Sequence, residues 1–184
     1  AIIGLLPRGS AQVSGTVRFN GIDLLTLPDR ALREIRGNRI AMIFQEPMTS
    51  LNPAYTIGEQ IIEVLVRHRG LTRVAARQRA IELLRDVSIP SPEQRVDDYP
   101  HKLSGGMRQR AMIAMALVLA LLLAVIDEST SALDVVAQRS LMMKIRELQE
   151  RLGFAVIFVT HDMHVVSRYS DRVLVMYAGQ VVEA

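Results

Sequence analysis

The chain has 184 residues, is 49% hydrophobic and 22% charged, and carries a formal net charge of +3. That length and apolar content allow a sizeable core and favour one domain, while the small basic surplus does not by itself argue for nucleic acid. With no cysteine, disulfides, thiolate metal sites and cysteine nucleophiles are excluded, and a reducing compartment fits.

Near the start, Gly15–Asp23 alternates polar and apolar residues around Asn20-Gly21, a dipeptide whose two members tolerate positive φ, so a hairpin is expected. Leu27-Pro28-Asp29 opens a short helix to about Ile35, with Pro near its first turn. Arg39–Phe44 reads as a strand stopped by Gln45-Glu46-Pro47. From Thr56 to about Met115 the period becomes helical. Ile57, Ile61, Ile62 and Leu65 share one face, and Val74, Ile81 and Leu84 another, with arginines opposite. Pro90, Pro92 and Pro100 divide this stretch into short helices.

The apolar run Ala111–Ile126 is shorter than the roughly 20 residues of a membrane span and reads as a buried helix followed by a strand. Strands Leu122–Ile126 and Ala155–Thr160 flank an amphipathic helix, Val135–Leu152, which makes a βαβ unit. A further strand, Arg172–Met176, precedes a turn at Ala178-Gly179. The expected class is α/β: a mostly parallel sheet with an antiparallel hairpin and an inserted helical subdomain. In such sheets ligands gather at the carboxyl ends of the strands.

Asp127-Glu128 stands at such an end. A buried apolar strand fixes and partly desolvates adjacent carboxylates at its tip. Asp127 suits Mg²⁺, directly or through water, and Glu128 could orient or deprotonate an attacking water. An acidic turn is the plainer alternative. In Leu103-Ser104-Gly105-Gly106-Met107, Ser104 can cap the following helix, and the glycines leave N–H groups open to an anion. Taken alone, the string is a helix start. His161, directly after a strand, could donate a hydrogen bond to a terminal phosphate; His68, His101 and His164 read as surface residues. The Gln45 amide oxygen could touch Mg²⁺ or the water, or satisfy a turn.

Gln45, Leu103–Met107, Asp127-Glu128, Ser131-Ala-Leu-Asp134 and His161 fall in the order of the Q-loop, signature, Walker B, D-loop and switch histidine of ABC ATPases, and the chain resembles that family throughout. Phe44–Pro53, Asp98–Arg110 and Val175–Gly179 resemble the dipeptide, oligopeptide and nickel importer branch, of which Met107 is typical.

The resemblance implies a P-loop NTPase-like core: residues 1–45 as β-subdomain and core remnant, 46–115 as helical subdomain, 116–184 as the C-terminal half of the core. It also implies two ATPase subunits, identical or paralogous, closing head to tail on ATP and Mg²⁺. Ser104, Gly105, Gly106 and Met107 would meet nucleotide held by the partner, with Ser131 and Asp134 at the dimer seam. Residues from about 46 to 63, with the helical subdomain, would receive a membrane permease subunit. A solute-binding protein would act indirectly, and the ATPase would sit at the cytoplasmic face of the membrane.

Three departures are visible. No Gly-x-x-x-x-Gly-Lys-Ser/Thr occurs; the resemblance places that Walker A loop about three helical turns before Ala1 and extends the chain past Ala184, so a piece cut at both ends is expected. Val118–Leu121 lacks a helix breaker, and Ser129 replaces a family proline. Two other readings are open: a non-catalytic remnant that only docks on a membrane protein, and a DNA-repair or translation-associated ABC protein using the basic stretch Arg67–Arg85.

Overall fold

The computed structural model describes residues 3–5, 12–43, 51–119, 121–127 and 135–184, the side chains of 135 and 137 apart. Strands β1 (Arg18–Phe19) and β2 (Ile22–Asp23) pair antiparallel across Asn20-Gly21, both at positive φ, as the dipeptide predicts. Helix α1 (Asp29–Ile35) follows, with Pro28 in the N-cap position just outside it.

Strands β3 (Ile40–Ile43), β4 (Leu123–Asp127) and β5 (Ala155–Val159) form a parallel sheet in that order. Helix α6 (Val135–Leu152) connects β4 to its neighbour β5, the expected βαβ unit. The pleat divides the core. Ile40 and Val125 join Ile3 and Leu24 on one face, while Ala41, Ile43, Ala124 and Ile126 join the larger cluster on the other. At β5 only one face is packed among the described residues: Val156 and Phe158 meet the large cluster, whereas Ile157 is 40% and Val159 49% exposed.

Between β3 and β4 lie α2 (Ile57–Arg69), α3 (Arg73–Asp86), the single turn α4 (Pro92–Arg95) and α5 (Gly105–Ala116). A capping box opens α2: Thr56 Oγ1 accepts from Glu59 N (3.2 Å) and a Glu59 carboxylate oxygen accepts from Thr56 N (3.1 Å). Gly70, in the left-handed region, closes it. Gly58 is required by packing, because an added Cβ would stand 2.6 Å from the Val96 carbonyl oxygen. Ile57, Ile61, Ile62 and Leu65 are buried as expected; each full burial is worth roughly 1.5–3 kcal/mol.

One expectation needs correction. Val74 is 82% exposed and Ile81 only half-buried; the inner face of α3 is Ala76, Ala80, Leu83 and Leu84. Small alanines carry the close approach of α3 to its neighbours, and they give little hydropathy signal. In keeping with a helical pattern that runs to about Met115, α5 ends at Ala116, and Leu117, Val118, Leu119 and Leu121 after it are buried.

After β5 come α7 (Met163–Tyr169) and a hairpin of β6 (Val175–Tyr177) and β7 (Gln180–Glu183), a separate two-stranded sheet turning on Ala178-Gly179. The strand expected at Arg172–Met176 thus begins three residues later and gains a partner strand on the far side of its turn.

Candidate functional site

The sheet register assembles the first part of the site. Asp127 is the last residue of β4 and stands opposite Val159, the last of β5, so Asp127 and His161 lie at the carboxyl ends of neighbouring parallel strands. Asp127 is half-buried and lines an open, largely apolar cavity of about 870 Å³ with Ile40, Met42, Met112, Met115 and Val118. Ligands of such sheets collect at the carboxyl ends of the strands, where Asp127 stands, whereas the cavity continues along β3 to Arg36 and Gly37 before its first residue. Gln45, Glu128, Ser131 and Asp134 lie outside the described residues.

The backbone around exposed His161 is held from both sides. Thr160 Oγ1 accepts from Asp162 N (3.1 Å), and Asp162 Oδ1 accepts from His164 N (2.9 Å), capping α7. Gln138 Nε2 donates to Asp162 Oδ2 at 2.9 Å, fastening this turn to α6. The Gln138 bond, then the backbone bond from His164, hold the Asp162 carboxyl below its ordinary range. The motifs single out neither Asp162 nor Gln138, whose hydrogen bonds hold the backbone beside His161. An Asp immediately before a helix is a usable cap signal; the Gln138 contact spans 24 residues and leaves none.

The second part opens α5. Ser104 is its N-cap, its Oγ accepting from Met107 N at 3.3 Å, and Arg108 Nη1 donates to the Leu103 carbonyl at 2.7 Å. A Cβ on Gly105 or Gly106 would meet nothing within 4 Å, and neither glycine has positive φ. Neither the fold nor the backbone conformation therefore demands glycine here. What the glycines provide is an unobstructed surface at a helix N-terminus, a place where N–H groups point outward and negative charge is favoured. Ser104–Met107 belong to a helix packed on α2, α3 and β3, whereas Asp127 and His161 end strands of the sheet.

The basic stretch Arg67–Arg85 is partly neutralised. Arg77 pairs with Asp97, Arg79 with Glu82 and Arg85 with Glu93. Among the described residues no helix is long and apolar enough to cross a membrane, and no cluster of three or more His, Cys, Asp or Glu could hold a metal unaided.

The whole chain aligns at 52% identity with 55% of a "Probable peptide ABC transporter ATP-binding protein" of Sinorhizobium fredii. It aligns at 49% with 56% of a dipeptide transport ATP-binding protein of Haemophilus influenzae, and at 48% with 51% of an oligopeptide transport ATP-binding protein of Bacillus subtilis. The chain thus spans about half the length of the curated relatives it matches. Among solved structures, the ATP-binding cassette MJ0796, a dimer bound to ADP and Pi, superposes with TM-score 0.80 at 30% identity, over 92% of this chain and 72% of that one. A second neighbour, cbiO1 of Clostridium perfringens, part of the ABC transporter complex cbiONQ, gives 0.82 at 27% over 99% and 68%. Residues 1–131 match the ABC transporter family itself, and the chain belongs to that family.

Proposed function

We propose that this chain supplies much of the ATP-hydrolysing subunit of an ABC importer for peptides, working at the cytoplasmic face of a membrane. The observation that carries the reading is the pairing of Asp127 and His161 at adjacent strand ends, with an open glycine-bearing helix N-terminus on a separate element. The peptide-transport names of the relatives support the cargo class.

In this reading Asp127, with Gln45, holds Mg²⁺. One or two carboxylates suffice, because Mg²⁺ keeps waters and phosphate oxygens as its other ligands. When bound, the ion neutralises charge on the phosphates. Glu128 takes a proton from the attacking water or orients it. His161 donates a hydrogen bond at the terminal phosphate, its backbone held by Thr160 and Asp162. Ser104, Gly105, Gly106 and Met107 receive the phosphates of nucleotide carried by a second ATPase subunit, and Ser131 and Asp134 meet that subunit at the seam. Residues 46–63 and the helices of 46–115 take the force-transmitting contact from a membrane permease. Residues 1–45 and 116–184 supply the parts around the sheet, and all three segments act as one ATPase domain.

No Gly-x-x-x-x-Gly-Lys-Ser/Thr is present, so residues 1–184 alone should bind Mg-ATP weakly or not at all. Micromolar affinity by calorimetry would overturn that statement. Placed behind the P-loop segment of a peptide-import relative, the chain should hydrolyse ATP in the presence of its permease. There Glu128→Gln should stop turnover and keep ATP binding. Normal turnover by that variant would sink the role given to Glu128. Gly106→Ala separates the signature from the fold: melting should hold or rise, since Ala is favoured over Gly in helices by about 1 kcal/mol, while turnover falls.

A further inference from the structure

The helices between β3 and β4 meet α6 through few close backbone approaches, and polar side chains bridge the two. Arg110, on α5 six residues after Ser104, reaches three groups at once. Its Nη1 donates to the carbonyl oxygens of Ser88 (2.9 Å) and Val87 (3.4 Å), and its Nη2 donates to Ser140 Oγ (3.1 Å) on α6. Val87 caps the C-terminus of α3, and Ser88 follows in the left-handed region at φ +59°. Carbonyls at that end carry the negative pole of the helix, so a guanidinium is the fitting donor, and its planar fork can serve two directions.

A second tie joins α3 to α6. Arg151 of α6 pairs with Asp86, the last residue of α3, at 2.9 Å. Ser140 and Arg151 are eleven residues apart, three turns of helix, and therefore lie on one stripe of α6. Near this junction is a cavity of about 450 Å³ lined by Leu65, Leu71, Leu117, Leu121, Leu152 and Phe154. At this joint the two polar ties add direction to the apolar packing of Leu141, Met142, Ile145 and Leu148, which are buried in the same core as the helices.

We propose that Arg110 is a positioning residue that sets the α5 N-terminus, and with it Ser104-Gly105-Gly106, at a defined angle to α6 and the sheet. Its importance for turnover rests on the function proposed above; the positioning itself does not. From the signature helix, Arg110 bonds to both sides of the joint. Arg151–Asp86 is the auxiliary tie, and it holds α3, not α5, to α6.

The absence of native cysteine allows a direct test. Lys102→Cys, beside the signature, and Met143→Cys, exposed on α6, take spin labels for pulsed-dipolar distance measurement on the full 184-residue chain without nucleotide. The parent should give one narrow distribution. Arg110→Ala and Ser140→Ala should raise the population at displaced distances roughly tenfold, as expected when a charge-assisted hydrogen bond is lost. Arg110→Lys, which keeps the charge without the fork, should fall between. If Arg110→Ala does not fold, Ser140→Ala and Arg110→Lys carry the test. Unchanged distributions with only a lowered melting temperature would mean a purely structural role and overturn the proposal. Because no nucleotide is present, that result is distinct from failure of the ATPase reading, which shows only in turnover by the Glu128 and Gly106 variants.

Discussion

The helices of residues 57–116 and the strands of residues 155–183 both carry many apolar side chains, yet they treat them in opposite ways. In the helices Ile57, Ile61, Ala76, Ala80 and Leu84 are all at 1% exposure or less. In the strands Ile157, Val159, Val175, Met176, Tyr177 and Val182 are 40–77% exposed. A helix has one apolar stripe and can bury it against its neighbours, so the helices satisfy one another. The parallel strand β5 is apolar on both sides, and each side needs its own cover, whereas β6 and β7 form a separate antiparallel hairpin whose residues are exposed along both strands. At β4 both covers are present; at β5 the described residues supply one. Among the described residues the helices are buried against one another and against β3, while β5 and the hairpin keep apolar side chains exposed.

The largest test of that contrast is truncation within the helices. Leu84→Ala should cost about 2–5 kcal/mol, read as a lowered urea midpoint, while Val182→Ala on the hairpin should stay within about 0.5 kcal/mol. Equal losses would show that the two regions are packed alike. Gly58→Ala should follow at roughly 1–3 kcal/mol, because its methyl group meets the Val96 backbone and overpacking forces a shift.

Surface exposure predicts association next. The chain should bind a hydrophobic dye and scatter light at high concentration, and Ile157→Lys with Met176→Lys should reduce both without lowering the melting temperature. A drop in melting temperature would place those side chains in the core after all.

The smallest expected effect is on pH. The Arg77 hydrogen bond holds the Asp97 carboxyl below its ordinary range, and backbone and Arg85 hydrogen bonds do the same for Glu93. Groups whose folded pKa is depressed add stability above their unfolded pKa, and that stability fades as pH falls through the folded value. Acidification below the usual carboxylate range should therefore loosen the contacts that α3 makes with α4 and the residues after it, and Asp97→Asn should flatten the profile. Both pairs are exposed, so high salt should shrink the effect; a salt-insensitive profile would point elsewhere.

Much of this architecture is legible in the order of the residues. Asn20-Gly21 names its turn, the periodicity of Ile57–Leu65 names its buried face, and short apolar runs name β3 and β4. Asp127, His161 and Ser104 are recognisable by position, just after a strand or before a helix. Other features leave weaker traces. The capping box at Thr56-x-x-Glu59 is a pattern that stands out only once the helix start is known. Val74 resembles a core residue because hydropathy weights it above the alanines that pack. Arg110 resembles one basic residue among many.

What the sequence by itself determined was local: element type, turn chemistry, helix caps and the order of the site residues along the chain. These depend on φ preferences and on hydrogen bonds within a few residues, which neighbouring side chains specify. Only the tertiary structure decided which face of α3 is buried, that β5 keeps one apolar face open among the described residues, and that Arg110 joins α3 to α6 across 22 and 30 residues. Each of those outcomes depends on what lies opposite a side chain in space, and no local pattern encodes the partner.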